Sequence, residues 1–179
     1  MGNAMKLIGC VVVLLSGCIV GSDKKPVPAD KTANAVIQPT TGNTVTGNVD
    51  FKSHDGTVTM TVTIADAPEG DHGFHIHQNP ACGNDGMDAG AHWDGETQGD
   101  SATHGLPDSP MHHTGDTGNI TIAADGSGTL TITSTTWTVG DGNLMTDVAD
   151  HAVIFHMSAD DGTMTSAGAR LGCGIIVAN

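Results

Sequence analysis

The sequence predicts an all-β domain, a sandwich or barrel carrying two long loops. Three observations predict it. Short runs alternate apolar and polar residues with a period of two. Gly and Asp clusters punctuate them as turns, and no helical heptad is convincing. Two stretches, Gln78 to Gly118 and Met157 to Leu171, lack strand character, and histidines fall inside and beside them.

The clearest run is Thr57 to Ala65. Val58, Met60, Val62 and Ile64 lie on one side, with Thr57, Thr59, Thr61 and Thr63 opposite. Thr44 to Phe51 alternates before it, and His54-Asp55-Gly56 fits the hairpin turn between them. Gly73 to His77 reads as a short strand. Asn119 to Ala123 and Thr129 to Trp137 form another pair, joined by Ala124-Asp125-Gly126-Ser127-Gly128. Ala152 to Phe155 is an apolar strand running into His156, and Gly174 to Val177 is the last strand.

A loop segment as long as Gln78–Gly118 is unusual in a compact domain unless it has a function. His92, His104 and His113 occupy it, with Asp116 three residues after His113. His75 and His77 are separated by one residue, so in a strand both imidazoles face one side and can grip one metal. The chain has ten histidines against three Phe and no Tyr, which a random scatter of surface histidines explains poorly. Imidazole suits copper and zinc, and carboxylate oxygen is acceptable to zinc. Spacing alone therefore predicts a bound metal without fixing how many ions.

The first 17 residues read as a processing signal, with Lys6 followed by an apolar run from Leu7 to Leu15. That run is too short to span a bilayer, which needs about 20 residues. Leu15-Ser16-Gly17-Cys18 resembles a bacterial lipobox, which implies lipid on Cys18 and membrane anchoring through it. Ile19 follows where an aspartate would favour inner-membrane retention. The resulting expectation is a bacterial cell envelope protein facing the periplasm, with the outer membrane favoured. Residues 18–35 form the lipidated N-terminus and a Pro-, Asp-, Lys- and Ala-rich tether. Residues 36–179 form one domain.

Cys10 leaves with the signal and Cys18 would carry lipid, so Cys82 and Cys173 remain in an exported chain. They are either a disulfide or two buried thiols. Pairing would close a loop of about 90 residues, which by chain entropy contributes roughly 4–5 kcal/mol. Net charge is −14, which opposes nucleic acid and anionic lipid. Arg170 is the one permanent cation after Lys52. It is either half of a structural salt bridge or a guide for an anion.

Six segments carry a resemblance to a known family. They are His72-Gly73-Phe74-His75-Ile76-His77, Gly90-Ala91-His92-Trp93-Asp94, His104-Gly105-Leu106-Pro107, His113-Thr114-Gly115-Asp116-Thr117-Gly118-Asn119, Phe155-His156 and Ala169-Arg170-Leu171-Gly172-Cys173-Gly174. Together, in this order from about Thr44 to Ile176, they resemble the copper–zinc superoxide dismutases of the bacterial periplasmic branch. The resemblance implies a Greek-key eight-stranded β-barrel, or immunoglobulin-like sandwich, with long metal-binding loops. It implies disproportionation of superoxide to oxygen and hydrogen peroxide, with copper and zinc as cofactors.

Residue by residue, His75, His77, His92 and His156 match the copper ligands. His92, His104, His113 and Asp116 match the zinc ligands, so His92 would bridge the two ions and take part in catalysis. Asp160 matches a carboxylate linking a ligand of each ion, and His72 a packing histidine near copper. Arg170 matches the active-site arginine, and Cys82 with Cys173 the family disulfide. His112 adjoins His113, but the spacing to Asp116 favours His113. His54, His112 and His151 match nothing in the family.

Two departures stand out. The connection from His156 to Arg170 is short and has Asp160 and Asp161 but no Lys, so anion steering by lysines is missing. The insert Gly95 to Ser101 is expected to bulge outward. Trp93 and Trp137 are open to two readings, interface anchors of a possible homodimer or core. The rival functions are a copper-handling relative without turnover and an adhesive β domain on a lipid anchor.

Overall fold

The computed structural model describes residues 30–95 and 104–179. The signal sequence, Cys18 and most of the tether lie outside the described residues, as does all but Gly95 of the insert Gly95–Ser101. The strands are β1 (Lys31–Pro39), β2 (Thr46–His54), β3 (Thr57–Ala65), β4 (Gly70–His77), β5 (Asp116–Ile122), β6 (Gly128–Ser134), β7 (Ala152–His156), β8 (Arg170–Ile175) and β9 (Val177–Ala178).

All pairings between these nine strands are antiparallel. The hydrogen-bonded order is β2-β3-β6-β5-β4-β7-β8-β1, and a further β1–β2 pairing closes it into an eight-stranded barrel. β9 adds to β1 as a two-residue extension. Chain neighbours β3 and β4 are not sheet neighbours, and β6 inserts beside β3, which gives the Greek-key crossover. Closure leaves few free strand edges, the usual liability of an antiparallel sheet.

The β2–β3 hairpin turns through Asp55 and Gly56 at φ 47° and 79°. Positive φ at both central residues is what a two-residue hairpin needs, and Asp-Gly tolerates it. From there the register runs unbroken from His54↔Thr57 to Thr46↔Ala65. Val58, Met60, Val62 and Ile64 are buried, as the alternation predicts. They pack in one cluster with Phe51, Phe74, Ile76, Ile120, Ile122, Val153 and Phe155. Burying each such side chain contributes about 1.5–3 kcal/mol.

Two expectations need correction. β1 starts at Lys31, so the tether ends before residue 35. Ala33, Ala35 and Ile37 alternate inward there, but small alanines give little periodic signal. The last long strand starts at Arg170 rather than Gly174, because Gly172 and Gly174 carry no side chain to mark an alternation. Trp93 and Trp137 both belong to the core, which removes them as interface anchors.

Candidate metal centre

β4 is buried on both faces. Phe74 and Ile76 point into the barrel core, so His75 and His77, of opposite parity, stand on its outer face. β7 repeats the arrangement: Val153 and Phe155 join the core, while Ala152 and Ile154 pack in a separate outer cluster with Ala89, Cys82 and Cys173. His156 shares that outer parity and ends β7 beside a register shift in the β7–β8 ladder. The barrel thus sets three imidazoles on one outer patch.

The loop segments reach the patch through the backbone of Ile76. The Ile76 carbonyl accepts the Trp93 N–H at 2.8 Å, and its N–H donates to the Gly115 carbonyl at 2.9 Å. The Gly115 N–H closes the circuit on the Trp93 carbonyl at 2.7 Å. A Cβ on residue 115 would lie 2.2 Å from the Ile76 oxygen, so this approach requires glycine. The circuit brings His92, His113 and Asp116 beside His75 and His77.

The result is two groups of four donors that share His92. One holds His75, His77, His92 and His156, and the other His92, His104, His113 and Asp116; in each group the donor atoms lie within 4.8 Å of one another. In the first group the outward nitrogens are occupied. His75 Nε2 lies 2.9 Å from Asp160 Oδ2, His77 Nδ1 3.0 Å from the Gly90 carbonyl and His156 Nδ1 3.2 Å from the Gly168 carbonyl. That leaves His75 Nδ1, which is buried without a partner, and the Nε2 atoms of His77 and His156, 3.4 Å apart. Buried nitrogens facing one another without N–H donors to satisfy them are what a cation resolves.

In the second group the Nδ1 atoms of His92, His104 and His113 lie 2.5, 3.0 and 3.2 Å from the Asp116 carboxylate. Backbone N–H groups of Gly105 and His113 donate to the same carboxylate. Three imidazoles with one carboxylate suit tetrahedral zinc, and four imidazoles suit copper. Asp160 joins the groups, with Oδ2 on His75 and Oδ1 3.0 Å from His104 Nε2.

The electrostatics favour metal binding. Burial, with the neighbouring histidines, lowers His77 well below the ordinary imidazole value, His92 to about 4 and His156 to about 3. These rings are neutral near pH 7, the form that binds a metal. Burial alone would raise Asp116, but its hydrogen bonds with His113 and His92 hold it far below the usual carboxylate range. Burial likewise opposes ionisation of Asp160, and hydrogen bonds with His75 and the Gly162 N–H outweigh it.

Beside the two groups lies a cavity of about 660 Å³, with His77, His92, His104, His113, His156 and Arg170 among its walls. Arg170 is half-buried. Its Nη1 donates to the Gly86 carbonyl at 2.6 Å and its Nη2 to the Gly90 carbonyl at 2.7 Å. Cys82 and Cys173 form a disulfide, with Cα atoms 5.7 Å apart. The Cys82 carbonyl accepts the Gly86 N–H, so the bridge anchors the segment whose carbonyls hold Arg170 and His77.

His72 lies inside the barrel rim, stacked on Phe155 at 4.8 Å, with Nδ1 2.9 Å from the His156 carbonyl. It belongs to neither donor group, and neither do His54, His112 and His151. His54 is exposed beside Asp30. His112 Nδ1 lies 2.8 Å from the His113 carbonyl. His151 is buried against Trp93, with Nδ1 2.8 Å from the Gln78 carbonyl, and so braces the segments that follow His77 and His92. Sequence reasoning missed Asn119, which accepts the Asp160 N–H and donates to the Asp160 carbonyl. It also missed the Gly90 carbonyl, because a backbone acceptor leaves no mark on side-chain spacing.

A family model described as "Copper/zinc superoxide dismutase (SODC)" matches residues 45–176. A Brassica juncea protein named "Superoxide dismutase [Cu-Zn] 2" is 32% identical over 152 residues, covering 79% of this chain and 94% of its own. "Superoxide dismutase [Cu-Zn]" of Haemophilus parainfluenzae is 28% identical over 193 residues, covering 96% and 99%. Among solved structures, that of the clock protein EA4 has a TM-score of 0.69 at 26% identity, covering 82% of this chain and 93% of its own. With a barrel that carries two donor groups sharing one imidazole, these findings show that the chain belongs to the copper/zinc superoxide dismutase family, an enzyme family with copper and zinc as cofactors.

Proposed function

We propose that the protein converts two superoxide anions and two protons into dioxygen and hydrogen peroxide. Copper would be held by His75, His77, His92 and His156, and zinc by His92, His104, His113 and Asp116. The observation that carries this reading is that His92 belongs to both donor groups. When bound, copper supplies one-electron redox chemistry, while zinc, which is redox-inert, supplies fixed charge.

The chain's own residues supply the rest. Arg170 presents a planar cation at the cavity wall, pinned by two backbone carbonyls, and attracts a small anion to His77 and His156. Two of its N–H donors are spent on Gly86 and Gly90, and the guanidinium has five. With Nδ1 directed to the Asp116 carboxylate, His92 can hold or release a proton at Nε2. Asp160 fixes the tautomers of His75 and His104 by accepting from their Nε2 atoms, which leaves both Nδ1 atoms free to bind metal. His72 acts as a support, holding the carbonyl of His156.

The setting proposed is the bacterial cell envelope, with the chain anchored by lipid on Cys18, facing the periplasm, at the outer membrane. The lipobox-like Leu15-Ser16-Gly17-Cys18 supports it, as does the Cys82–Cys173 disulfide, which an oxidising compartment preserves. Incorporation of labelled palmitate that disappears in Cys18→Ser tests the anchor; unlabelled wild-type protein would rule it out.

The activity is tested by superoxide decay after pulse radiolysis, using protein shown to contain both metals. Rapid, cyanide-sensitive turnover is expected. No turnover in protein carrying both metals would instead make it a copper-handling relative.

A further inference from the structure

Two exposed methionines stand in the wall of the cavity beside the donor groups. Met87 and Met164 both line it, at 57% and 54% exposure, while His77 and His156, also in its lining, are buried. Methionine is among the residues most often buried, and here two thioethers stand exposed in the wall of one cavity.

Their backbones are well fixed. Met87 opens a 3₁₀ turn, with its N–H on the Asn84 carbonyl and its carbonyl accepting from Gly90. The preceding Gly86 carbonyl is held by Arg170. Met164 lies in the connection between His156 and Arg170, where the Ser166 N–H donates to the Thr163 carbonyl and the Ser166 hydroxyl to Asp160. Each is therefore a flexible, polarisable side chain on a fixed stem.

Thioether sulfur is a soft donor that selects Cu(I) over harder ions. A chain of net charge −14 repels an anionic substrate but draws in a cation, and Asp85 and Asp94 stand in the same cavity wall. We propose that Met87 and Met164 form a capture site for Cu(I) in the cavity wall, from which the ion passes to His77 and His156. Two neutral sulfurs bind weakly, which suits an ion that must move on to four imidazoles. The inference rests on the first donor group being the copper site.

The test uses zinc-loaded, copper-free protein, with Cu(I) supplied anaerobically as its bicinchoninate complex. Stopped-flow loss of the complex's colour reads copper uptake. Met→Leu conserves volume at these exposed positions and leaves the fold unchanged. The double variant Met87→Leu/Met164→Leu should take up copper roughly tenfold more slowly, yet reach the wild-type copper content. The control Met111→Leu/Met157→Leu removes two methionines that are equally exposed but lie outside the cavity, and should match wild type. Wild-type speed in the first variant, or equal slowing in the control, overturns the capture site and leaves the copper reading intact. A wild-type protein that takes up no Cu(I) overturns both.

Discussion

The two donor groups are built differently. His75 and His77 stand on β4 and His156 ends β7, so the barrel itself holds three of the four imidazoles in the first group. In the second group His104 and His113 stand on loop, and Asp116 opens β5. There a carboxylate does the gathering, taking two backbone N–H groups and facing three imidazoles. Strand geometry makes one site before any metal arrives, while the other depends on one buried anion.

The largest test of that contrast is Asp116→Ala. It leaves the Gly105 and His113 N–H groups and three imidazoles without their shared acceptor, at about 1–3 kcal/mol per buried group left unpaired. A fall of several degrees in Tm and loss of the zinc should follow, while the strand-held group still binds one metal. Calorimetry and metal analysis would check this, and loss of both ions in a folded variant would show that the sites are not separable.

Acid should lower the stability of the metal-free protein through the buried imidazoles. Burial lowers His77, His92 and His156, so in metal-free protein they stay neutral where the unfolded chain's histidines have taken up protons. Between pH 6.5 and about 4 the unfolded state binds more protons, and stability therefore falls as pH falls. The depressed Asp116 and Asp160 add stability that is present above the ordinary carboxylate value and is lost only below it. Urea unfolding of the metal-free protein at pH 7, 5.5 and 4.5 should show a steady decline, and a flat profile would contradict the buried, neutral imidazoles.

Asp160→Asn separates the link from the groups it joins. An amide cannot accept from both His75 and His104 as the carboxylate does, and metal affinity should drop by about 10–100-fold. The loop-held site should lose more, as competition with a chelator would reveal. Arg170→Ala leaves both donor groups whole. It should keep both metals and lower kcat/KM about tenfold, ~1.4 kcal/mol. Unchanged kinetics would take Arg170 out of the mechanism.

The smallest effect concerns salt. Lys52 pairs with Asp30 and Lys31 donates to the Gly140 carbonyl, so neither lines the cavity, where Arg170 stands with Asp85 and Asp94. Turnover should stay level or rise slightly as ionic strength screens the acidic surface. A steep fall would reveal attractive steering that these residues do not provide.

The same contrast explains what was legible in the sequence. The His75–His77 spacing read directly as one face of a strand, because period two maps onto geometry. His104, His113 and Asp116 lie on a loop, where spacing constrains little, and they became interpretable only through motif resemblance. β1 was partly missed because Ala33 and Ala35 are too small to mark a face. The Gly90 carbonyl, which holds both His77 and Arg170, and the Gly115–Ile76–Trp93 circuit are backbone contacts between distant segments. Such contacts exist only once the barrel has formed. The salt-bridge and anion-guide readings of Arg170 could not be separated by sequence, and the structure adds two carbonyls that hold the guanidinium at the cavity.

Anomalous diffraction at the copper and zinc edges from metal-loaded crystals tests the central claim most directly. Copper signal among His75, His77, His92 and His156, zinc signal among His92, His104, His113 and Asp116, and His92 in contact with both ions is the predicted result. Exchanged metals, or His92 bound to one ion alone in the oxidised protein, would contradict the bridged pair.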